Sequence, residues 1–147
     1  MRFTLAMLFL GSGFAISAAG PGDEPARKEL AKLQGTWKLV AVEIGGQAFE
    51  YPDDVQLRWV VEDTRVTRMD DGKLLFALTV DPTAKPKTLD LTRMGTERSM
   101  EAIYSLSEDT WRICINPATD GARERPAEFA TKDKPGWKIW LLKRDKQ

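Results

Sequence analysis

Two periods of apolar residues divide the chain. From Pro25 to Leu33, Ala26, Leu30 and Leu33 recur at i, i+4 and i+7, one narrow stripe on a short helix, with Asp23 placed to cap it and Glu24 in its first turn. A stripe that narrow cannot stand alone and must lie across an apolar surface. At Gly35 the period changes to two. Thr36 to Ile44 reads as a first strand ended by Gly45-Gly46, and Gln47 to Glu50 as a short return before Tyr51-Pro52-Asp53-Asp54. Val55, Leu57, Trp59 and Val61 alternate with Gln56, Arg58 and Glu62, which predicts a strand with one wet face. Arg65 to Met69 follows a tight turn at Asp63, and Asp70-Asp71-Gly72 marks a hairpin into Leu74, Phe76, Leu78 and Val80.

The second half continues the pattern. Asp81 to Pro86 is a corner, and Leu89 and Leu91 face inward from a short strand. Met100 to Leu106 and Trp111 to Ile115 are joined by a turn at Ser107-Glu108-Asp109. Asn116 to Glu124 is the longest loop, Arg125 to Phe129 predicts a short strand, and Trp137 to Lys143 predicts the last one. Eight or nine short strands in meander order predict an all-β fold, a small up-and-down barrel with a short N-terminal helix. Pairing of the first strand with the last would remove exposed edges, which favours a closed barrel over an open sheet. Gly35 frees the backbone for a sharp exit from the helix, and Trp37 must then bury its indole at once, as a plug in one end of the barrel.

Met1-Arg2, the apolar run from Phe3 to Ile16 and the small residues Ser17-Ala18-Ala19 predict a secretory signal peptide over residues 1–19. Its apolar run is shorter than the roughly 20 residues of a membrane span. Residues 20–24 form a flexible leader and 25–147 a single domain, exported to a periplasmic or extracellular compartment with no stable membrane anchor after cleavage. Without residues 1–19, 21 Lys and Arg face 22 Asp and Glu, a net charge of −1 that gives no field to draw in nucleic acid. Cys114 is the only cysteine, so no internal disulfide can form. The chain has no histidine, which excludes a Ser-His-Asp triad, a Cys-His dyad and any histidine-liganded metal.

Gly35-Thr36-Trp37 after a short helix is similar to the Gly-x-Trp signature of lipocalins and other calycins. The resemblance implies that the tryptophan closes the barrel floor under a basic residue of the last strand, here Arg144 or Lys143. The series Leu33 to Val40, Leu78 to Lys87, Asp90-Leu91, Ile103-Tyr104, Trp111 to Ile115, Arg125 to Phe129 and Leu141 to Arg144 resembles the planctomycete-type lipocalin-like domain over about residues 30–145. That family implies the fold and brings no activity with it.

Candidate chemistry is sparse. Trp59, Trp111, Trp137 and Trp140 could line the barrel and grip an apolar ligand, although a narrow barrel simply filled by indoles is the plainer expectation. Arg125 with Arg123, Glu124 and Glu128 could make a charged site at the mouth or a structural ion pair. The Asp81 to Lys87 corner reads as a rigid turn, and Asp53-Asp54 and Asp70-Asp71 as solvated turns without calcium-loop spacing. Cys114 faces the other side of its strand from Ile113 and Ile115.

Together these features predict a binding domain and no enzyme. A small apolar or amphipathic ligand would enter opposite Trp37, near the Asp81–Lys87 and Asn116–Arg125 loops, and meet Trp59, Tyr104, Trp111, Arg125 and Glu128. Gly35, Trp37 and Arg144 would close the floor, and no metal or cofactor is expected. The alternative is a filled barrel that meets a protein partner, or serves an envelope structure, through its surface. Catalysis would have to use carboxylate, Ser/Thr or Lys chemistry alone.

Overall fold

The computed structural model describes residues 23–95, 98–117 and 124–146; the signal-peptide segment, most of the leader and Arg123 lie outside the described residues. Helix α1 (Asp23–Leu33) is followed by β1 (Gly35–Ile44), β2 (Gln47–Glu50), β3 (Arg58–Glu62), β4 (Arg65–Arg68) and β5 (Leu74–Asp81). Then come β6 (Lys87–Arg93), β7 (Ser99–Leu106), β8 (Thr110–Ile115) and β9 (Lys138–Arg144). The last two residues of the expected leader, Asp23 and Glu24, are the first turn of the helix. In the sheet order β2-β1-β3-β4-β5-β6-β7-β8-β9 every neighbouring pair is antiparallel, and β1 also pairs with β9, so eight strands close an up-and-down barrel and β2 is one extra strand.

Strand β1 is where the barrel closes, and it serves three partners. Along its whole length it pairs with β9, from Trp37 opposite Arg144 to Ile44 opposite Lys138. On its other edge Gly35 to Lys38 pair with β3, and Ala41 to Ile44 pair with β2. The register shifts between Leu39 and Ala41, so β1 carries an irregularity where it passes from one partner to the other. At that point the Leu39 amide donates to the Leu57 carbonyl and the Tyr51 amide to the Val40 carbonyl, which keeps the backbone paired across the change.

Alternation puts Trp37, Leu39, Trp59, Val61, Val66, Phe76, Leu78, Val80, Leu89, Leu91 and their counterparts on β7 to β9 into one central core. The three-residue stripe of α1 lies across the end of that core that holds Trp37: Leu33 is fully buried, and Ala26 and Leu30 pack against it. A smaller second core of Ile103, Cys114, Trp137 and Ile139, with Phe129 against it, lies on the outer face of β7, β8 and β9. Trp137 is therefore outside the barrel, a correction to its expected place among the interior indoles. It precedes β9 by one residue, and alternation puts it on the same face as Ile139.

Two expected strands differ. Residues 55–57 precede β3: the Val55 amide bonds the Pro52 carbonyl and the Gln56 side chain bonds the Asp53 carbonyl, so local turn bonds displace ladder bonds there. Arg125 to Phe129 forms no strand. That segment crosses the outside of the barrel as a strap, bonded mainly through side chains, and Pro126 has no amide to give a ladder.

Candidate functional site

The interior is filled from the aromatic side chains upward. Trp37 packs edge-on to Trp111 at 5.5 Å between centroids, Trp111 lies 6.4 Å from Trp59, and Trp59 meets Trp140 at 5.3 Å and Phe76 at 5.9 Å. Such edge-to-face contacts are the favoured geometry of aromatic pairs. Trp59, Tyr104 and Trp111, the interior residues expected to meet a ligand, are all buried within this packing. Two polar atoms in it, the Tyr104 hydroxyl and Trp111 Nε1, have no hydrogen-bond partner among the described residues. The Tyr104 hydroxyl lies toward the Glu29 carboxylate without reaching hydrogen-bond geometry. Burial first, and then the Glu29 charge, raises its pKa well above the ordinary phenol value.

The closed end is locked by side chains from every quarter of the chain. Trp37 Nε1 donates to the Leu33 carbonyl at 2.8 Å, so the indole caps the last turn of the helix that covers it. Arg144, rather than Lys143, is the cation over it: its Cζ stands 4.3 Å from the Trp37 ring centroid. The same guanidinium donates to the Gln34 carbonyl at 2.9 Å and the Lys32 carbonyl at 2.6 Å, satisfying acceptors at the C-terminal end of α1. Gly35 has φ +114°, and a Cβ on it would stand 3.3 Å from Arg144 Nη1, so the position needs glycine for its backbone and for room. Gln34 joins the helix to the β3–β4 turn, donating to the Asp63 carbonyl and accepting from the Asp63 amide.

The Asp81–Lys87 corner also lies at this closed end, because β5 ends and β6 begins there. That corrects its expected position near a ligand entrance. Up-and-down topology sends alternate loops to opposite ends, and this loop shares an end with the β3–β4 and β7–β8 turns and α1. Its turn is rigid: Asp81 Oδ1 accepts from the Thr83 amide and hydroxyl, and these bonds hold the carboxyl below its usual range. Between α1 and the β7–β8 turn lies a cleft of about 650 Å³ lined by Glu29, Lys32, Lys87, Asp109, Arg144 and Lys146 among others. Four of its charges pair off, Glu29 with Lys87 at 2.8 Å and Asp109 with Lys146 at 3.0 Å.

Arg125 and Glu128 do not enter the barrel. Arg125 lies on the outer face of β6 and β7, where Nη1 donates to the Ala102 carbonyl at 2.7 Å and Nη2 pairs with Asp90 at 2.7 Å. Glu128 is exposed on the strap, and its carbonyl faces the Cys114 thiol at 3.7 Å. Farther along, Thr131 donates to Glu43 and accepts from the Gly46 amide, and Phe129 lies under the Arg112 guanidinium at 4.8 Å. The strap thus runs over β6 to β1 and seals Cys114, whose pKa is raised by burial, so it stays a neutral thiol.

The open end carries a feature that the strand pattern did not predict. Among the described residues, the exposed large apolar side chains are Ile44, Phe49, Met69 and Met94, between 43 and 52% exposed. Ile44 ends β1, Phe49 is on β2, Met69 follows β4 and Met94 follows β6, so all four belong to the end opposite Trp37. Val42 is opposite Phe49 on one edge and Trp140 on the other, which puts Phe49 on the face that continues into the core. The sequence does hold a signal for this rim: Ile44, Met69 and Met94 each adjoin a turn residue, Gly45, Asp70 or Gly95, where polar residues are the rule. Compared with known proteins, the chain matches no family model and is significantly similar to no curated protein or solved structure.

Proposed function

We propose that this is an exported, non-catalytic binding module of the lipocalin-like type that works from its outside, with the apolar rim at the open end as its docking face for a protein partner. The observation that carries this reading is a division of labour. Interlocked indoles occupy the interior, whereas the exposed apolar side chains gather at one end on four separate segments. Apolar groups clustered on an otherwise charged surface mark interaction sites. The signal-peptide pattern of residues 1–19 supports export, and the Gly-x-Trp floor under Arg144 supports the family likeness.

A second reading, a small amphipathic ligand held inside the barrel, draws support from the Tyr104 hydroxyl and Trp111 Nε1, which a polar guest would satisfy. Two measurements separate the readings. Native mass spectrometry of protein from its own host gives bare mass under the first and a retained small molecule under the second. Affinity capture from the exported fraction yields a defined partner under the first. That partner is lost with Phe49→Ser and Met94→Ser variants of unchanged stability; capture that survives both variants overturns the rim as the docking face.

A further inference from the structure

A second cleft, of about 470 Å³, lies between α1, the β3–β4 turn and strand β5. Its chemistry is unlike that of the charged cleft at the β7–β8 turn. Ala26 and Leu30 form its helix wall, and the inward-facing Leu78 and Val80 form its strand wall. Arg27, Thr64 and Thr79 stand on its margin, and no carboxylate is among its described lining residues. The gap has a local cause. Of the three residues in the α1 stripe, Leu33 is fully buried and Leu30 partly so, whereas Ala26 packs against the core with a single methyl and lines the cleft. Arg27 is the one cation among the cleft's described lining residues, and several other cations of the closed end are engaged: Lys32 and Lys87 with Glu29, Lys28 with Glu24, Lys146 with Asp109, and Arg144 with Trp37 and two carbonyls. Arg27 is exposed and makes no ion pair or hydrogen bond among the described residues.

We propose that this cleft is a binding site for a single-chain amphiphile with an anionic head, a fatty carboxylate in its simplest form. The chain lies between Ala26, Leu30, Leu78 and Val80, and the carboxylate meets the Arg27 guanidinium, with the Thr64 hydroxyl as a further donor. The volume falls within the roughly 300–1,000 Å³ of small-molecule sites. A neutral apolar ligand would leave Arg27 unused, and a cationic one would meet it unfavourably. The site is independent of the rim at the other end of the barrel.

The test uses dodecanoate at concentrations where it is monomeric, titrated against the whole domain by calorimetry, with dodecanol and dodecyltrimethylammonium as comparison ligands. Dodecanoate binds the wild type more tightly than either. Arg27→Ala reduces its affinity roughly two- to fivefold, the weight of an exposed ion pair, and removes its preference over dodecanol. Ala26→Phe, which fills the gap, abolishes binding while thermal unfolding shows the domain still folded. A Phe49→Ser variant binds as the wild type does. The proposal is overturned if dodecanoate does not bind, if it binds Ala26→Phe as well as wild type, if Arg27→Ala leaves the head-group preference intact, or if the Phe49→Ser change is what removes binding. Should Ala26→Phe fail to fold, Leu30→Ser and Val80→Ser serve in its place: each cuts the apolar wall and weakens dodecanoate, and unchanged affinity in both overturns the site.

Discussion

Arg144 is the point where the first and last elements of the domain are tied together, and replacing it with methionine tests that tie. Methionine keeps an unbranched stem beside Trp37 and removes the guanidinium, which holds the ring at 4.3 Å and two helix-end carbonyls at 2.9 and 2.6 Å. Each hydrogen bond from a charged donor is worth about 1.5–3 kcal/mol net, and the cation-π contact about 0.5–2 kcal/mol. Their sum, roughly 8 kcal/mol at most, is an upper bound. The group is partly solvated and the three contacts share one rigid fork, so they are not additive, and about 2–4 kcal/mol is expected. Lysine retains the charge but offers a compact ammonium in place of a planar fork, and recovers about half of the loss. Urea unfolding followed by tryptophan fluorescence reads the change as a shift of midpoint at constant slope. Combining Arg144→Met with Trp37→Leu in a double-mutant cycle isolates the stacking, with an expected coupling of about 0.5–2 kcal/mol. A loss below about 0.5 kcal/mol, the ordinary scatter of surface changes, or a coupling of zero would refute the account of the closed end.

Three further outcomes are expected. Gly35→Ala forces a side chain onto φ +114° and against Arg144, and lowers the urea midpoint by an amount equivalent to about 1–3 kcal/mol. Tyr104→Phe removes a buried hydroxyl that has no hydrogen-bond partner among the described residues, and raises stability by about 1 kcal/mol; a loss would show that the hydroxyl is hydrogen-bonded in solution. Cys114 and Tyr104 ionise in the unfolded chain near their ordinary values of 9.0 and 10.0, and at higher pH in the folded one. Above pH 9 the unfolded state therefore binds fewer protons, and stability falls as pH rises toward the folded-state values. Thermal melts between pH 8 and 10.5 should show the fall, and a Cys114→Ala, Tyr104→Phe double variant should flatten it.

The fold was legible because its instructions are local. Period-two alternation, Asp-Gly and Gly-Gly punctuation and a meander order need no knowledge of distant partners, and Gly35-Thr36-Trp37 announces a buried indole after a turn. What the sequence did not show depends on packing in three dimensions. Alternation from Ile139 puts Trp137 on the outer face, but only the strap makes that face a second core. Arg125 and Glu128 could be read as a mouth site because nothing local says that their segment crosses the outside of the sheet. The gap at Ala26 is equally silent in sequence, since a short residue on a helix stripe is ordinary until the opposing wall is known.

The pairing of β1 with β9 has a kinetic side. The hairpins from β3 to β8 bring together residues close along the chain, whereas the seam joins groups as far apart as Arg144 and Gln34, separated by 110 residues. Closing a loop of that length costs roughly 4 kcal/mol of chain entropy beyond a constant term. The meander is therefore expected to assemble first and wait with two unpaired edges, on β1 and on β9, which the seam then zips together. While they wait, β9 of another molecule can reach β1 before its own does. Refolding at high protein concentration should thus give seam-exchanged dimers, with the same contacts as the monomer drawn from two chains.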